Sequence, residues 1–402
     1  MLGSNSAYQI GFSLTSLLDT PTDTPKLTAS ARAVFRMLAR GGSATRPELA
    51  ERLGLSRPTM SIAMEDLDRL GYVEMIGLRQ RGTGRKAIMY KLGAGVGHAI
   101  AIDAGSTNVR LKVSTLDNRI LYSGGYHLSS DQRRFTPELE RAVAQALNDV
   151  RLATQDNWGP LRAIGIALPT KVEKQISSSE EIAALYPVIS HSIASLDIPI
   201  ILENNVNCAA IAESAFGIAA NAADFVYIQV GVKVGMGIVL RGELVRGRNG
   251  GAGEISSLPF PWAPDIQPCR EALEDYLGSE SLMQRVSLEW PEGEASPKDA
   301  FSLFSLAREG HAVARDHVDR HAENVGRLVA ACVSVLDPGL VVLGGGIGQN
   351  AMILPKVRDV VNGLTGPTKI EVTSLGTEAT LRGIQRLTQH NAEALVIGDG
   401  AE

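Results

Sequence analysis

Between Ser30 and Arg40 apolar side chains fall at Ala33, Val34, Met37 and Leu38, the three-and-four spacing of one helix face. Gly41 and Gly42 end that helix. Thr45-Arg46-Pro47-Glu48 then has the form of a capping box with proline in the first turn, opening a short helix through Leu53. Gly54-Leu55-Ser56 forms a tight turn, and Ser56 caps a third helix over Arg57–Leu70. Its inner face is Met60, Met64 or Ala63, Leu67 and Leu70. Two helices joined by a glycine-containing turn of this length predict a helix-turn-helix. After Gly71 the pattern changes, and Tyr72–Ile76 and Ala87–Leu92 read as two strands.

Further along, short apolar runs end in Gly- or Asn-rich turns. Such runs are His98–Ile102, Val109–Val113, Ala163–Leu168, Pro199–Leu202 and Phe225–Val230. The stretch from Leu336 to Leu343 is a strand that feeds Gly344-Gly345-Gly346. Before it, Asn324–Leu336 reads as a helix whose Val325, Leu328, Val329 and Val333 belong to a core rather than an interface. Buried strands of this kind, alternating with helices, predict an α/β fold.

Composition narrows the class. The chain has 402 residues, 44% hydrophobic and 21% charged, which is globular and long enough for two or three compact units. No run approaches a membrane span. No basic segment precedes the apolar stretch Ile10–Leu18, so a signal peptide is not expected. Cys208, Cys269 and Cys332 are too few and too scattered for a disulfide framework or a CxxC metal site. The expected compartment is the cytoplasm. Residues 1–25 read as an arm, 26–92 as a winged helix-turn-helix, and 93–402 as the body.

The net charge of −5 is unevenly spread. Residues 1–92 hold 13 Lys and Arg against 8 Asp and Glu, a net of +5, which leaves −10 on the remainder. A basic head on an acidic body suits a polyanion partner. Gly77–Lys86 carries four cations, no acid and three glycines, the composition of a wing lying along phosphates. Arg57, Pro58, Thr59 and Ser61 open the third helix, where base edges are read. With Arg46 and the wing cations Arg79, Arg81, Arg85 and Lys86, they form the expected DNA-binding set.

In the body, Asp103-Ala104-Gly105-Ser106-Thr107 joins two strands, and Ala163–Leu168 ends at Pro169. Glu203-Asn204-Asn205-Val206-Asn207, Gly231-Val232-Lys233-Val234-Gly235 and Gly250-Gly251-Ala252-Gly253-Glu254-Ile255 then follow in order. With the glycine turn at 344–346, these motifs resemble the ROK family of repressors, open reading frames and kinases over residues 97–390. The head points to its transcription regulators, the branch of the xylose and N-acetylglucosamine repressors. The resemblance implies a two-lobed actin/sugar-kinase-like fold with a sugar in the cleft, and a dimer or tetramer.

The same resemblance exposes departures. Family kinases carry Glu-Asn-Asp-Val-Asn, whose Asp takes the proton from the attacking sugar hydroxyl. Asn205 stands there, and an amide cannot accept that proton at neutral pH. The DxGGT hairpin has Ser106 for its second glycine. The second phosphate loop, Gly-Thr-Gly-Val-Gly in the family, has Val232 and Lys233, the latter read as a solvated surface lysine. The glycine turn at 344–346 is intact and is what a strand-to-helix turn needs. Ser256-Ser257 stand where the family has the Gly-His of a structural zinc site, so the histidine is gone, and Asp265, Gln267 and Ala272 stand where its cysteines would be. No metal, cofactor or catalytic residue is therefore expected.

A ligand pocket is expected at Asn204, Asn205, Glu254 and Glu274, narrowed by Thr170 in place of a glycine. The expected protein is a transcription regulator, a repressor by the commoner family logic, that binds operator DNA. Its body would sense a sugar or sugar derivative without phosphorylating it. The alternative is an ATP-dependent sugar kinase with a fused DNA-binding domain.

Overall fold

The computed structural model describes residues 27–80, 86–105, 107–129, 136–172, 189–190, 198–258 and 271–398. The expected arm at residues 1–25 lies outside them, as do Arg81, Arg85, Ser106, Asp265, Gln267 and Cys269.

Helix α1 (Ala29–Gly41) starts at Thr28, whose hydroxyl accepts the Ala31 N–H at 3.2 Å, and stops at Gly42 with φ 75°. Its buried face is Ala31, Val34, Phe35, Leu38 and Ala39. Ala33 and Met37, expected inside, are only half-buried. The helix is rotated about one position because Phe35 goes inward, its ring edge-on to Tyr72 with centroids 6.1 Å apart. Strand β1 (Ala44–Thr45), too short to show in the sequence pattern, pairs with Tyr90 and Met89.

Helix α2 (Arg46–Leu53) has its capping box: Thr45 accepts from Glu48 N at 3.4 Å, and Glu48 Oε2 accepts from Thr45 N at 2.9 Å. Gly54, at φ 63°, turns the chain into helix α3 (Arg57–Arg69), capped by Ser56. Met60, Ala63, Met64 and Leu67 are the buried side of α3.

Strand β2 (Val73–Arg79) pairs antiparallel with β3 (Ala87–Leu92), with an irregularity between Met75 and Gly77. Gly77, Leu78 and Arg79, expected in the wing loop, are thus strand. The head's sheet has the order β1-β3-β2.

Strand β4 (His98–Ala104) lies at the centre of a five-stranded sheet. Its companions are β5 (Asn108–Thr115), β6 (Ile120–His127), β7 (Leu161–Leu168) and β8 (Ile200–Asn204). The order is β6-β5-β4-β7-β8, with β4 and β7 parallel. Every residue of β4 is buried, which is why the sequence shows an unbroken apolar run there. Helix α4 (Pro137–Ala153) covers β5 and β6 with Leu139, Val143, Ala146, Leu147 and Val150.

A second five-stranded sheet holds β9 (Phe225–Val230), β10 (Val234–Leu240), β11 (Glu243–Leu244), β12 (Val341–Gly344) and β13 (Ile370–Val372). Its order is β11-β10-β9-β12-β13. Helix α5 (Asn205–Phe216) lies on β9 and β10. Four more helices follow: α6 (Ala272–Leu277), α7 (Ser279–Glu289), α8 (Ala300–Glu309) and α9 (Ala312–Leu336). Helices α10 (Leu354–Thr365) and α11 (Ala379–Ile397) complete the chain. As expected, Val325, Leu328, Val329 and Val333 of α9 are core, packed with Val357 and Val361 of α10.

The fold is α/β, as the run pattern predicts. Residues Asn204–Gly383 form the bulk of one compact unit; the head, β4–β7 and α11 from Ile384 belong to the other. Within the latter, the connection from β3 to β4 is packed rather than loose. Gly93 N donates to Tyr72 O and Gly95 N to Gly71 O, at 3.0 and 3.1 Å. The Arg162 guanidinium donates to Val96 O at 2.8 Å and Gly95 O at 2.9 Å. Among the described residues no helix is long and apolar enough to cross a membrane.

Candidate nucleic-acid interface and ligand site

The start of α3 presents Arg57, Pro58 and Ser61 to solvent, as expected of a recognition helix. Thr59 does not belong with them. It is half-buried, and its hydroxyl shares a 2.8 Å hydrogen bond with Ser56 in the helix cap. Ile62 is 54% exposed on the same turn as Ser61, an apolar group beside the basic and polar ones. The position was legible in principle, since Met60, Ala63 and Met64 point inward and leave residue 62 outside.

Arg46 and Arg79 are partly committed inside the head. The Arg46 guanidinium lies 5.1 Å from the Tyr90 ring centre. Arg79 reaches Glu48 at 3.6 Å while its side chain remains 54% exposed, tying the hairpin to α2. Lys86 is exposed at the start of β3. Leu78 and Ile88, paired across the hairpin, and Met75 and Ile76 are also exposed, so the described part of the wing is more apolar than its loop sequence suggests.

Two of the expected ligand residues, Asn204 and Asn205, form the junction of β8 and α5. Asn204 ends β8 and caps α5, its Oδ1 accepting from Val206 N at 2.8 Å and Asn207 N at 3.3 Å. Its Nδ2 donates to Thr170 O at 3.1 Å, which fixes the amide orientation against the turn after β7. Asn205 is buried in the first turn of α5, and Thr380 donates to its carbonyl.

Lys233 departs from its reading as a solvated lysine: it is half-buried and donates to Pro169 O at 2.8 Å. The chain turns tightly there between β9 and β10, Gly231 N donating to Lys233 O at 3.0 Å, and the lysine side chain finds a backbone acceptor from a segment distant in sequence. Glu274, 5% exposed, accepts the Val234 N–H at 3.4 Å beside that loop. Glu254 is exposed and follows a turn in which the carbonyl oxygen of Gly253, at φ 82°, accepts from Met236 N at 3.0 Å.

Lys171, which belongs to no motif of the sequence, runs beside that turn. A Cβ on Gly251 would meet its Cε at 3.6 Å. Thus Asn204, Thr170, Lys233 and Glu274 form one linked set, and Lys171 connects the turn after β7 to the loop leading to Glu254.

The glycines at 344–346 have structural work to do. Gly345 sits at φ 81°, and a Cβ on Gly344 would stand 1.9 Å from the Tyr227 hydroxyl. Burial pushes the Tyr227 phenol well above its usual range. In the β4–β5 hairpin, Asp103 is 3% exposed and bound to Arg110 at 2.6 Å. Among the described residues no group of three or more His, Cys, Asp or Glu side chains could hold a metal ion.

Comparison with known proteins fits this geometry. The winged helix-turn-helix DNA-binding profile matches residues 27–74. The chain is 24% identical to a xylose repressor of Caldicellulosiruptor bescii over 365 residues, covering 84% of this chain and 90% of that one. It is 22% identical over 345 residues to the DNA-binding transcriptional dual regulator NagC of Escherichia coli, covering 83% and 84% of the two chains. Its fold is that of a ROK family transcriptional regulator described as a homolog of the E. coli MLC protein. That match has TM-score 0.69 and 17% identity, and covers 92% of this chain and 98% of the other. It also matches a ROK family glucokinase from Streptomyces griseus, solved with glucose and AMPPNP, at TM-score 0.57 and 23% identity over 73% of this chain and all of the other. The ROK family profile itself spans residues 99–391, and on that match the chain belongs to the ROK family.

Proposed function

We propose that the chain is a DNA-binding transcription regulator, a repressor, whose kinase-like body senses a sugar or sugar derivative without phosphorylating it. One observation carries the reading. A head with an exposed recognition-helix start is joined, in one chain, to a sugar-kinase-like site that offers an amide where proton abstraction needs a carboxylate. The phosphate loop supports it, since Val232 and Lys233 replace groups that would converge on a nucleotide, and Lys233 already holds Pro169 O.

In this reading Arg57, Pro58 and Ser61, joined by Ile62, face base edges, while Arg46, Arg79, Arg81, Arg85 and Lys86 meet phosphates. Thr59 positions the helix start rather than touching DNA. Two or four copies present paired heads to a palindromic operator, with symmetry matching the half-sites. Asn204, Asn205, Glu254 and Glu274 hold the sugar, and binding changes operator affinity only insofar as the sugar favours one state of the protein. The cytoplasm is the matching compartment.

Selection of bound DNA from a random pool, followed by titration of sugars against the selected complex, tests this reading. A selected palindrome released by a sugar is the expected result. A coupled phosphoryl-transfer assay over the same sugars should stay at background. Turnover that vanishes on Asn205→Ala would overturn the sensor reading in favour of a kinase.

A further inference from the structure

The proposed operator contact puts an isoleucine among base edges, where most readers carry hydrogen-bonding groups. On a helix a step of three or four residues returns to the same face, so Pro58, Ser61, Ile62 and Glu65 of α3 stand together, and all four are exposed. Met60, Ala63, Met64 and Leu67 hold the other side of the helix in the core of the head, which leaves Ile62 54% exposed.

The polar groups around Ile62 limit what this face can meet. From Arg57 to Glu65 the helix has one cation, Arg57, and no Asn, Gln or Lys, so bidentate reading of a purine is confined to Arg57. Thr59 is engaged with Ser56. After Ile62 come Glu65, Asp66 and Asp68, carboxylates that a phosphate backbone repels. The face therefore suits the groove floor and not the backbone. What it offers there is an apolar strip, Pro58 and Ile62, one helical turn apart.

The floor of the major groove has one apolar group, the C5-methyl of thymine; the other edges are donors and acceptors. An isoleucine over a donor or acceptor strips it of water and returns no hydrogen bond. Over a methyl it takes apolar surface out of water on both partners. The net charge of +5 on residues 1–92, and the helix-turn-helix profile over residues 27–74 that includes Ile62, identify DNA as the partner of this face.

Resting on the operator-binding function proposed above, we infer that Ile62 is a specificity-determining residue. It packs on the C5-methyl of one thymine in each half-site, with Pro58 bordering the same contact. The discrimination uses no hydrogen bond, so it separates thymine from deoxyuracil, which differ only in that methyl.

A methyl-deletion scan of the operator tests this. The full chain is titrated, by fluorescence anisotropy, against the palindrome selected from a random pool, with thymines replaced by deoxyuracil one symmetric pair at a time. At one pair the affinity should fall roughly fourfold for each methyl, and so about fifteenfold in all. In Ile62→Ala the affinity for the thymine operator should fall, and the deoxyuracil penalty at that pair should shrink to less than about threefold. Its salt dependence should stay that of the parent, because an apolar contact releases no counterions. An undiminished melting temperature reports that the variant is folded, and Ile62→Gln, also a good helix former, serves if it is lowered. A selected half-site without thymine, or one on which no deoxyuracil pair costs more than about twofold, overturns the inference and leaves operator binding intact. So does a penalty that survives unchanged in the folded variant, which assigns the methyl to another side chain. Loss of self-association in Ile62→Ala without DNA also overturns it, because the residue then lies between copies of this chain. If the pool yields no preferred sequence, operator binding itself fails and the inference with it.

Discussion

Replacing Gly95 with alanine tests whether the joint between head and body is a packed strut. An added Cβ would stand 2.5 Å from the Leu70 carbonyl oxygen and 2.8 Å from that of Gly71. Both are backbone atoms, so no change of rotamer can make room. Gly95 cannot easily retreat, because its N–H is bonded to Gly71 O and its carbonyl is held by Arg162 at 2.9 Å. Overpacking a site of this kind costs about 1–3 kcal/mol. At roughly 2–4 °C per kcal/mol for a unit of this size, the melting temperature should fall by about 6 °C at the centre of that range. Gly363→Ala is the control. It lies within α10 with open space around it, and alanine there should stabilise by up to about 1 kcal/mol. Calorimetric melts of the full chain and both variants measure the difference. Gly95→Ala melting at or above the parent temperature would refute the packed joint.

Other outcomes follow from individual contacts. Burial and the nearby Arg285 hold His321 at a pKa of about 4, below its ordinary 6.5. The unfolded chain therefore takes up that proton first, so stability is full above about pH 6.5 and declines as pH falls toward 4, by at most about 3 kcal/mol. His321→Leu should flatten this slope in urea unfolding at pH 7 and pH 5; an unchanged slope counts against it. Thr45→Ala removes the capping box of α2 and should cost about 1 kcal/mol, read as a lower melting temperature. Asn205→Asp should not create a kinase, because Lys233 still occupies the turn at Pro169; measurable turnover in a coupled assay would show otherwise. Arg57→Ala should lower operator affinity and relax base preference at its position in each half-site, whereas Arg79→Ala should weaken binding to all sequences alike and reduce the salt slope by about 0.9, both read in a salt titration of operator binding.

The architecture was legible wherever short-range rules suffice. The caps at Thr45 and Ser56, the glycine stops at 42 and 54, and the unbroken apolar run of β4 all depend on neighbours within a turn or on burial from both faces. The family motifs were legible for a related reason: backbone turns at residues 253 and 345 demand glycine, and such demands leave a fixed mark in sequence. The candidate ligand residues Asn204, Asn205, Glu254 and Glu274 could be named from those motifs, but not their partners.

Partners were decided by chain segments distant in sequence. Periodicity placed Ala33 and Met37 inside, and only the Tyr72 ring, 37 residues beyond Phe35, shows why the helix turned away from that register. Position at the start of α3 made Thr59 a base reader, and the altered phosphate loop made Lys233 a surface charge. The Ser56 hydroxyl claims the first, and the Pro169 carbonyl, 64 residues earlier in the chain, claims the second. Lys171 gave no signal at all, since a lysine after a turn is ordinary until the Gly251 backbone lies against it. The sequence by itself determined the elements, the order of the motifs and the loss of the carboxylate at residue 205. The tertiary structure alone decided which charges surround that loss, because a side chain's electrostatic surroundings depend on distance in space, not along the chain.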